Sequence, residues 1–162
     1  SVAHELLSWI EAMPKTYAEW KPSPGCTFLM KTIPATIIER DRVLSHFYEW
    51  VDPRAFCVFW MLPMTHYQLH VDAYRSCAIN FLLDYSNGSD SLSYFDVGSF
   101  LPGRKTHTHH YQELEYAPDT YYAFNTQVKH AVLNGRHNRY VASIGLPCKY
   151  DTLIEHIEKN DL

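Results

Sequence analysis

The sequence predicts a mainly β fold: a double-stranded β-helix, or jelly roll, flanked by N-terminal helices. Three observations carry this expectation. Helical periodicity is confined to about residues 1–52 and to a short C-terminal stretch. After Asp52-Pro53 the chain breaks into about eight short runs rich in β-branched and aromatic residues. Turn residues separate those runs at uneven spacing, which suits a jelly roll. An immunoglobulin-like sandwich fits less well, because the chain has no Cys–Trp–Cys framework.

The helical flank comes first. Leu6, Leu7, Ile10 and Met13 recur at helical spacing over Ala3–Met13, and Pro14 ends the run. Three prolines between Pro14 and Pro24 predict an irregular connector, with a short strand over Cys26–Thr32. Asp41–Val51 reads as a second amphipathic helix capped by Asp41, with Val43, Leu44, Phe47, Tyr48 and Val51 on one side. Strands are expected near 55–62, 66–72, 75–84, 92–97, 106–113, 120–124, 128–134 and 139–146. Ser86–Asp90 and Pro102-Gly103 supply turns, and Asn134-Gly135 reads as a tight hairpin. A short helix over Asp151–Lys159 closes the chain. With no repeat, low-complexity tract or interdomain linker, residues 1–162 are expected to form one domain: helical flank about 1–52, β core about 53–147, short terminal helix.

Composition narrows the function. Of 162 residues, 46% are apolar and 15% aromatic, which excludes a disordered chain. The formal charge of −4 argues against nucleic-acid binding, which needs a basic face. The longest apolar run, Ala55–Met64, is only about half the length of a membrane span, and the N-terminus lacks the basic cluster of a signal peptide. Cys26, Cys57, Cys77 and Cys148 form no C-x-x-C pair, so reduced thiols in a cytoplasmic protein are expected.

Chemistry concentrates in Tyr67–Asp84. On a strand over 66–72, His70 and Asp72 would share one face, since side chains alternate with period two. A third ligand, His130, would complete a two-histidine, one-carboxylate facial site for non-heme Fe(II). The 58 positions from Asp72 to His130 allow four or five strands, enough for a β-helix to wind back beside its first metal strand. Arg139 stands at the start of the apolar run through Ser143. A buried Arg is rarely left unpaired, and a bidentate carboxylate is its natural partner.

His-x-Asp, a distal His and a basic residue some ten positions beyond it resemble the Fe(II)/2-oxoglutarate-dependent oxygenases. More narrowly, His130-Ala-Val132-Leu-Asn134 followed by Arg139 resembles the aspartyl/asparaginyl β-hydroxylase-like group, although Asp72 supplies a carboxylate that the best-known members of that group lack. The resemblance covers roughly residues 66–146. It implies Fe(II) held by His70, Asp72 and His130, 2-oxoglutarate as co-substrate anchored by Arg139 with Asn80 as a lesser contact, and hydroxylation of an amino-acid, peptide or small polar substrate.

Two rivals stand beside it. His107-x-His109-x-x-x-Glu113 resembles the first metal motif of cupins, so a cupin-type metalloenzyme using His107, His109, Glu113 and His130 is the enzymatic alternative. Only 16 residues separate Glu113 from His130, too few for the strands a cupin needs there, and a polar edge strand that includes His110 is the plainer reading. The non-enzymatic alternative is a jelly-roll binding module whose aromatic cleft holds a ligand without metal.

Overall fold

Two antiparallel sheets stand face to face, and the chain crosses repeatedly between them. The computed structural model describes residues 1–23, 25–84, 90–98, 103 and 108–162. One sheet runs β1 (Lys21–Pro22), β2 (Leu29–Thr32), β3 (Phe56–Met61), β10 (Arg139–Leu146), β5 (Cys77–Leu82), β8 (Tyr121–Phe124). The other runs β4 (His66–His70), β9 (His130–Leu133), β6 (Leu92–Asp96), β7 (Tyr111–Glu113). The central strands alternate sheets in sequence, which is the expected double-stranded β-helix.

Alternation gives the larger sheet two unlike faces. Its outer face presents Phe56, Val58, Trp60, Ile79, Phe81, Tyr140, Ala142 and Ile144 to a core closed by helices. Helix α1 (Val2–Ala12) contributes Leu6 and Ile10, α2 (Ala35–Ile38) Ile38, α3 (Arg42–Tyr48) Leu44 and Phe47, and α4 (Tyr150–Lys159) Leu153. Asp41 caps α3 as expected: its carboxylate accepts from the backbone N–H groups of Val43 and Leu44 and from the Tyr121 hydroxyl. The inner face presents Cys57, Phe59, Met61, Asn80, Arg139, Val141 and Gly145, all lining a cavity between the sheets.

Several boundaries differ from the sequence expectation. The proline-rich connector contains β1, in which Pro22 pairs with Leu29 on an edge where a missing N–H costs nothing. Ala35–Ile38 forms an unanticipated turn of helix. The strand expected over 106–113 shrinks to Tyr111–Glu113; residues 108–110 are not strand, and 104–107 lie outside the described residues. Most of the Ser86–Asp90 turn lies outside them too. Asn134-Gly135 is not a hairpin, because β9 and β10 belong to different sheets. Asn134 instead ties the crossing together, donating from Nδ2 to the carbonyls of Met61, Leu62 and His137. Gly135 is required by a close approach: a Cβ there would sit 2.2 Å from the Asp90 carboxyl carbon.

Candidate metal centre

His70 ends β4, His130 begins β9, and the two residues are direct partners across those strands. Pairing therefore brings together two imidazoles that are 60 positions apart in sequence. Asp72 arrives differently from the expectation. β4 stops at His70, with a register shift between Tyr67 and His70, so strand alternation does not place Asp72. The turn after β4 does: the Asp72 N–H donates to the Thr126 carbonyl, and Gln127 Nε2 donates to the carbonyls of Asp72 and Arg75.

The three side chains converge, with one ligand atom from each lying within 4.8 Å of the others. Asp72 Oδ1 is 3.1 Å from His70 Nε2 and 3.3 Å from His130 Nε2. Each ring sets its other nitrogen against a backbone carbonyl: His70 Nδ1 on Gln68 at 2.6 Å, His130 Nδ1 on Val128 at 2.8 Å. Carbonyls only accept, so both Nδ1 atoms carry the proton and both Nε2 lone pairs face the carboxylate. Such a cluster needs either a second proton on each ring or a cation among the three donors. With Arg75 Nε already donating to Asp72 Oδ2, two imidazoliums would crowd three positive charges around one carboxylate. A divalent metal satisfies the same donors with the tautomers as found, and this donor set suits non-heme Fe(II). Burial would raise the Asp72 pKa; the Arg75 guanidinium, through its charge and its Nε hydrogen bond, acts in the opposite direction and favours the ionised carboxylate.

Arg139, at the start of β10, is only 6% exposed. Its partners are neutral: Ser91 Oγ at 3.0 Å, Ser93 Oγ at 3.3 Å, Met61 Sδ at 3.9 Å, and the Tyr116 ring below. Among the described residues no carboxylate forms an ion pair with it. Burial lowers its pKa, opposed by the Tyr116 hydroxyl. Asn80, on β5, donates from Nδ2 to the Tyr116 hydroxyl at 3.3 Å and accepts on Oδ1 from Ser143 at 2.6 Å. The triad, Arg139, Asn80 and Tyr116 line one cavity of about 470 Å³.

The cupin-type set is not assembled in this way. His109 Nδ1 bonds Asp96 Oδ2 at 2.6 Å, and that carboxylate also accepts from the N–H groups of Gly98 and His110. His110 and Glu113 are exposed, and His107 lies outside the described residues. Among the described residues, His130 clusters with His70 and Asp72, not with His109 or Glu113. Sequence reasoning missed Arg75, Ser143, Tyr116, Ser91 and Ser93. Only Arg75 left a trace, as an Asp-x-x-Arg spacing in the turn after β4.

Comparison with protein-family models and with curated proteins gives no match. Solved structures do overlay. A Pseudomonas putida prolyl-4-hydroxylase matches 91% of this chain and 86% of its own, with a TM-score of 0.59 and 12% identity. Two Drosophila melanogaster CENP-C structures, one bound to CAL1 and one of the cupin domain, match 88% of this chain. They do so at a TM-score of only 0.42, with 7% and 6% identity and 94% and 92% of their own chains covered. The hydroxylase overlay supports a cupin-like double-stranded β-helix as the fold of this chain; at 12% identity it speaks to fold and not to chemistry.

Proposed function

We propose that the protein is an Fe(II)- and 2-oxoglutarate-dependent dioxygenase that hydroxylates an amino-acid, peptide or small polar substrate. One observation carries the reading: a two-histidine, one-carboxylate cluster and a buried guanidinium whose partners among the described residues are neutral share a single cavity. His70, Asp72 and His130 would hold the iron, leaving the cavity side of the metal open to ligands. Iron, when bound, supplies the activation of dioxygen, coupled to oxidative decarboxylation of the co-substrate.

The chain's own residues supply binding and orientation. Arg139 gives the distal carboxylate of 2-oxoglutarate a bidentate partner, with the Ser91 and Ser93 hydroxyls beside it. From Arg139 to Ser143, which is bonded to Arg75 beside the metal ligands, is four residues of β10, roughly 13 Å between Cα atoms. Phe28, Phe59, Tyr67 and Phe124 give the remainder an apolar lining. Unbridged thiols at Cys57, Cys77 and Cys148 accord with a reducing, cytoplasmic setting for ferrous iron, and no helix among the described residues is long and apolar enough to cross a membrane. Asp72 sets the protein apart from the best-known aspartyl/asparaginyl β-hydroxylases, so the proposal stops at the broader oxygenase class.

The test is anaerobic. Fe(II) followed by 2-oxoglutarate should produce a weak visible charge-transfer band in the wild type and none in Asp72→Ala. Wild-type protein that gives no band, and turns over no 2-oxoglutarate when oxygen is admitted, ends the proposal.

A further inference from the structure

We infer that Arg75 is a positioning residue for the metal centre: it locks the Asp72 carboxylate in the orientation that serves His70 and His130, and links that centre to the Arg139 anchor. The inference rests on the metal reading above and adds a residue whose role is not set by the triad itself.

Arg75 Nε donates to Asp72 Oδ2, so one carboxylate oxygen is engaged while Oδ1 faces the two Nε2 atoms. Arg75 Nη1 donates to Ser143 Oγ at 2.7 Å. Two bonds from one rigid fork fix both partners more tightly than a point charge could. The fork is itself confined. Its carbonyl accepts from Thr126 Oγ1 at 2.6 Å and from Gln127 Nε2 at 3.0 Å. Its guanidinium lies 5.5 Å from the Phe59 ring centroid and 5.9 Å from that of Phe124. Its stem runs over Gly145, where a Cβ would come within 3.2 Å of Arg75 Cδ. Beyond Ser143 the chain of bonds continues to Asn80 Oδ1, from Asn80 Nδ2 to the Tyr116 hydroxyl, and so to the ring beneath Arg139. The Asp72 carboxylate and the Tyr116 hydroxyl are thus ends of one hydrogen-bonded line, and Arg139 meets that line through the face of the Tyr116 ring.

The sign of a mutational effect separates positioning from simple charge. Arg75 is a cation beside a site for another cation, so if charge alone mattered, Arg75→Met would tighten metal binding. Loss of positioning weakens it instead, by about ten- to a hundredfold, the usual effect of removing a group that orients a metal ligand. The experiment is calorimetric titration of wild type, Arg75→Met and Ser143→Ala with Mn(II), without co-substrate, together with the visible spectra of the Co(II)-loaded proteins. Expected are weaker Mn(II) binding and an altered Co(II) spectrum in Arg75→Met, and a smaller change in the same direction in Ser143→Ala, which keeps the charge and loses one arm of the fork. Mn(II) binding as tight as or tighter than wild type in Arg75→Met, with an unchanged Co(II) spectrum, overturns the inference. Should Arg75→Met fail to fold, Ser143→Ala carries the comparison, and wild-type affinity and spectrum there overturn it equally. Wild type that ignores Mn(II) removes the metal centre and this role with it; wild type that binds Mn(II) but ignores 2-oxoglutarate removes only the co-substrate.

Discussion

Arg139→Met should change the protein's stability by no more than about 3 kcal/mol in either direction, while abolishing its response to 2-oxoglutarate. Arg139 is 6% exposed, and among the described residues its guanidinium meets hydroxyls, a thioether and an aromatic ring. Replacing buried charges by apolar groups of similar volume is neutral to stabilising by about 1–4 kcal/mol. Against that stands about 1–3 kcal/mol for the Ser93 hydroxyl and its neighbours losing a donor. The net runs from a loss of about 3 kcal/mol to a gain of about 3 kcal/mol, and at about 2–4 °C per kcal/mol for a chain of this size Tm moves by no more than about 10 °C in either direction. The ligand response goes the other way. For Mn(II)-loaded wild type at a 2-oxoglutarate concentration of 100 Kd, linkage adds about 2.7 kcal/mol, or about 5–10 °C. Thermal melts of both proteins, with and without 2-oxoglutarate, read both quantities. An Arg139→Met protein that melts far below wild type, or one that keeps the full ligand shift, would refute the assignment of Arg139 as an anion anchor.

Further expectations follow from the described contacts. Tyr121 donates to the Asp41 carboxylate at 2.9 Å, and burial, the Asp41 charge and that hydrogen bond push its pKa above the ordinary value of 10.0. Because the folded-state pKa is the higher one, the stabilisation is complete below pH 10 and fades as pH rises past it; Tyr121→Phe should cost about 1–2 kcal/mol at neutral pH and flatten the alkaline limb of a urea-stability profile, and a limb as steep as wild type refutes it. Cys77 has its thiol pushed up to about 12 by burial first and then by Cys148, so iodoacetamide at pH 8 should leave it unlabelled until the protein unfolds, as peptide mapping would show. Ile144, 1% exposed on the outer face of β10, should cost about 2–5 kcal/mol when cut to Ala while leaving Mn(II) affinity at the wild-type value; a large loss of affinity in folded Ile144→Ala protein would mean the two faces are not independent.

Much of the architecture was legible because alternation and turn chemistry are local. The apolar runs of β3, β5 and β10, the cap at Asp41 and the terminal helix follow from spacing alone. What failed is what depends on long-range pairing. Asn134-Gly135 carries a hairpin signature, yet the chain uses it to cross between sheets, because Asn134 finds three carbonyls there and Gly135 fits against Asp90. His70, Asp72 and His130 come together, but not for the reason the spacing suggested. Spacing suggested a strand shared by His70 and Asp72, whereas the turn after β4, held by Thr126 and Gln127, delivers the carboxylate. Arg75, Ser143 and Tyr116 were given no role for the same cause: a hydrogen-bonded line joining residues 72, 75, 80, 116 and 143 has no sequence period.

The site and the core are two faces of the same strands, and this explains how the chain tolerates so polar an interior. On β10 the residues alternate between Tyr140, Ala142 and Ile144, packed under the helices, and Arg139, Val141 and Ser143, turned toward the cavity. Burying Arg139 with neutral partners opposes folding, as does holding Asp72 ionised away from bulk water. Apolar burial on the outer face is non-directional and insensitive to what the inner face carries, so it can offset those costs without constraining the chemistry. The inner face then needs directional contacts for a different purpose, to fix where each polar group points. The bonds from Asp72 through Arg75, Ser143 and Asn80 to Tyr116 meet that need. Stability resides on one side of the larger sheet and orientation on the other, which is why replacements at Ile144 and Arg139, both on β10, are expected to act in opposite ways.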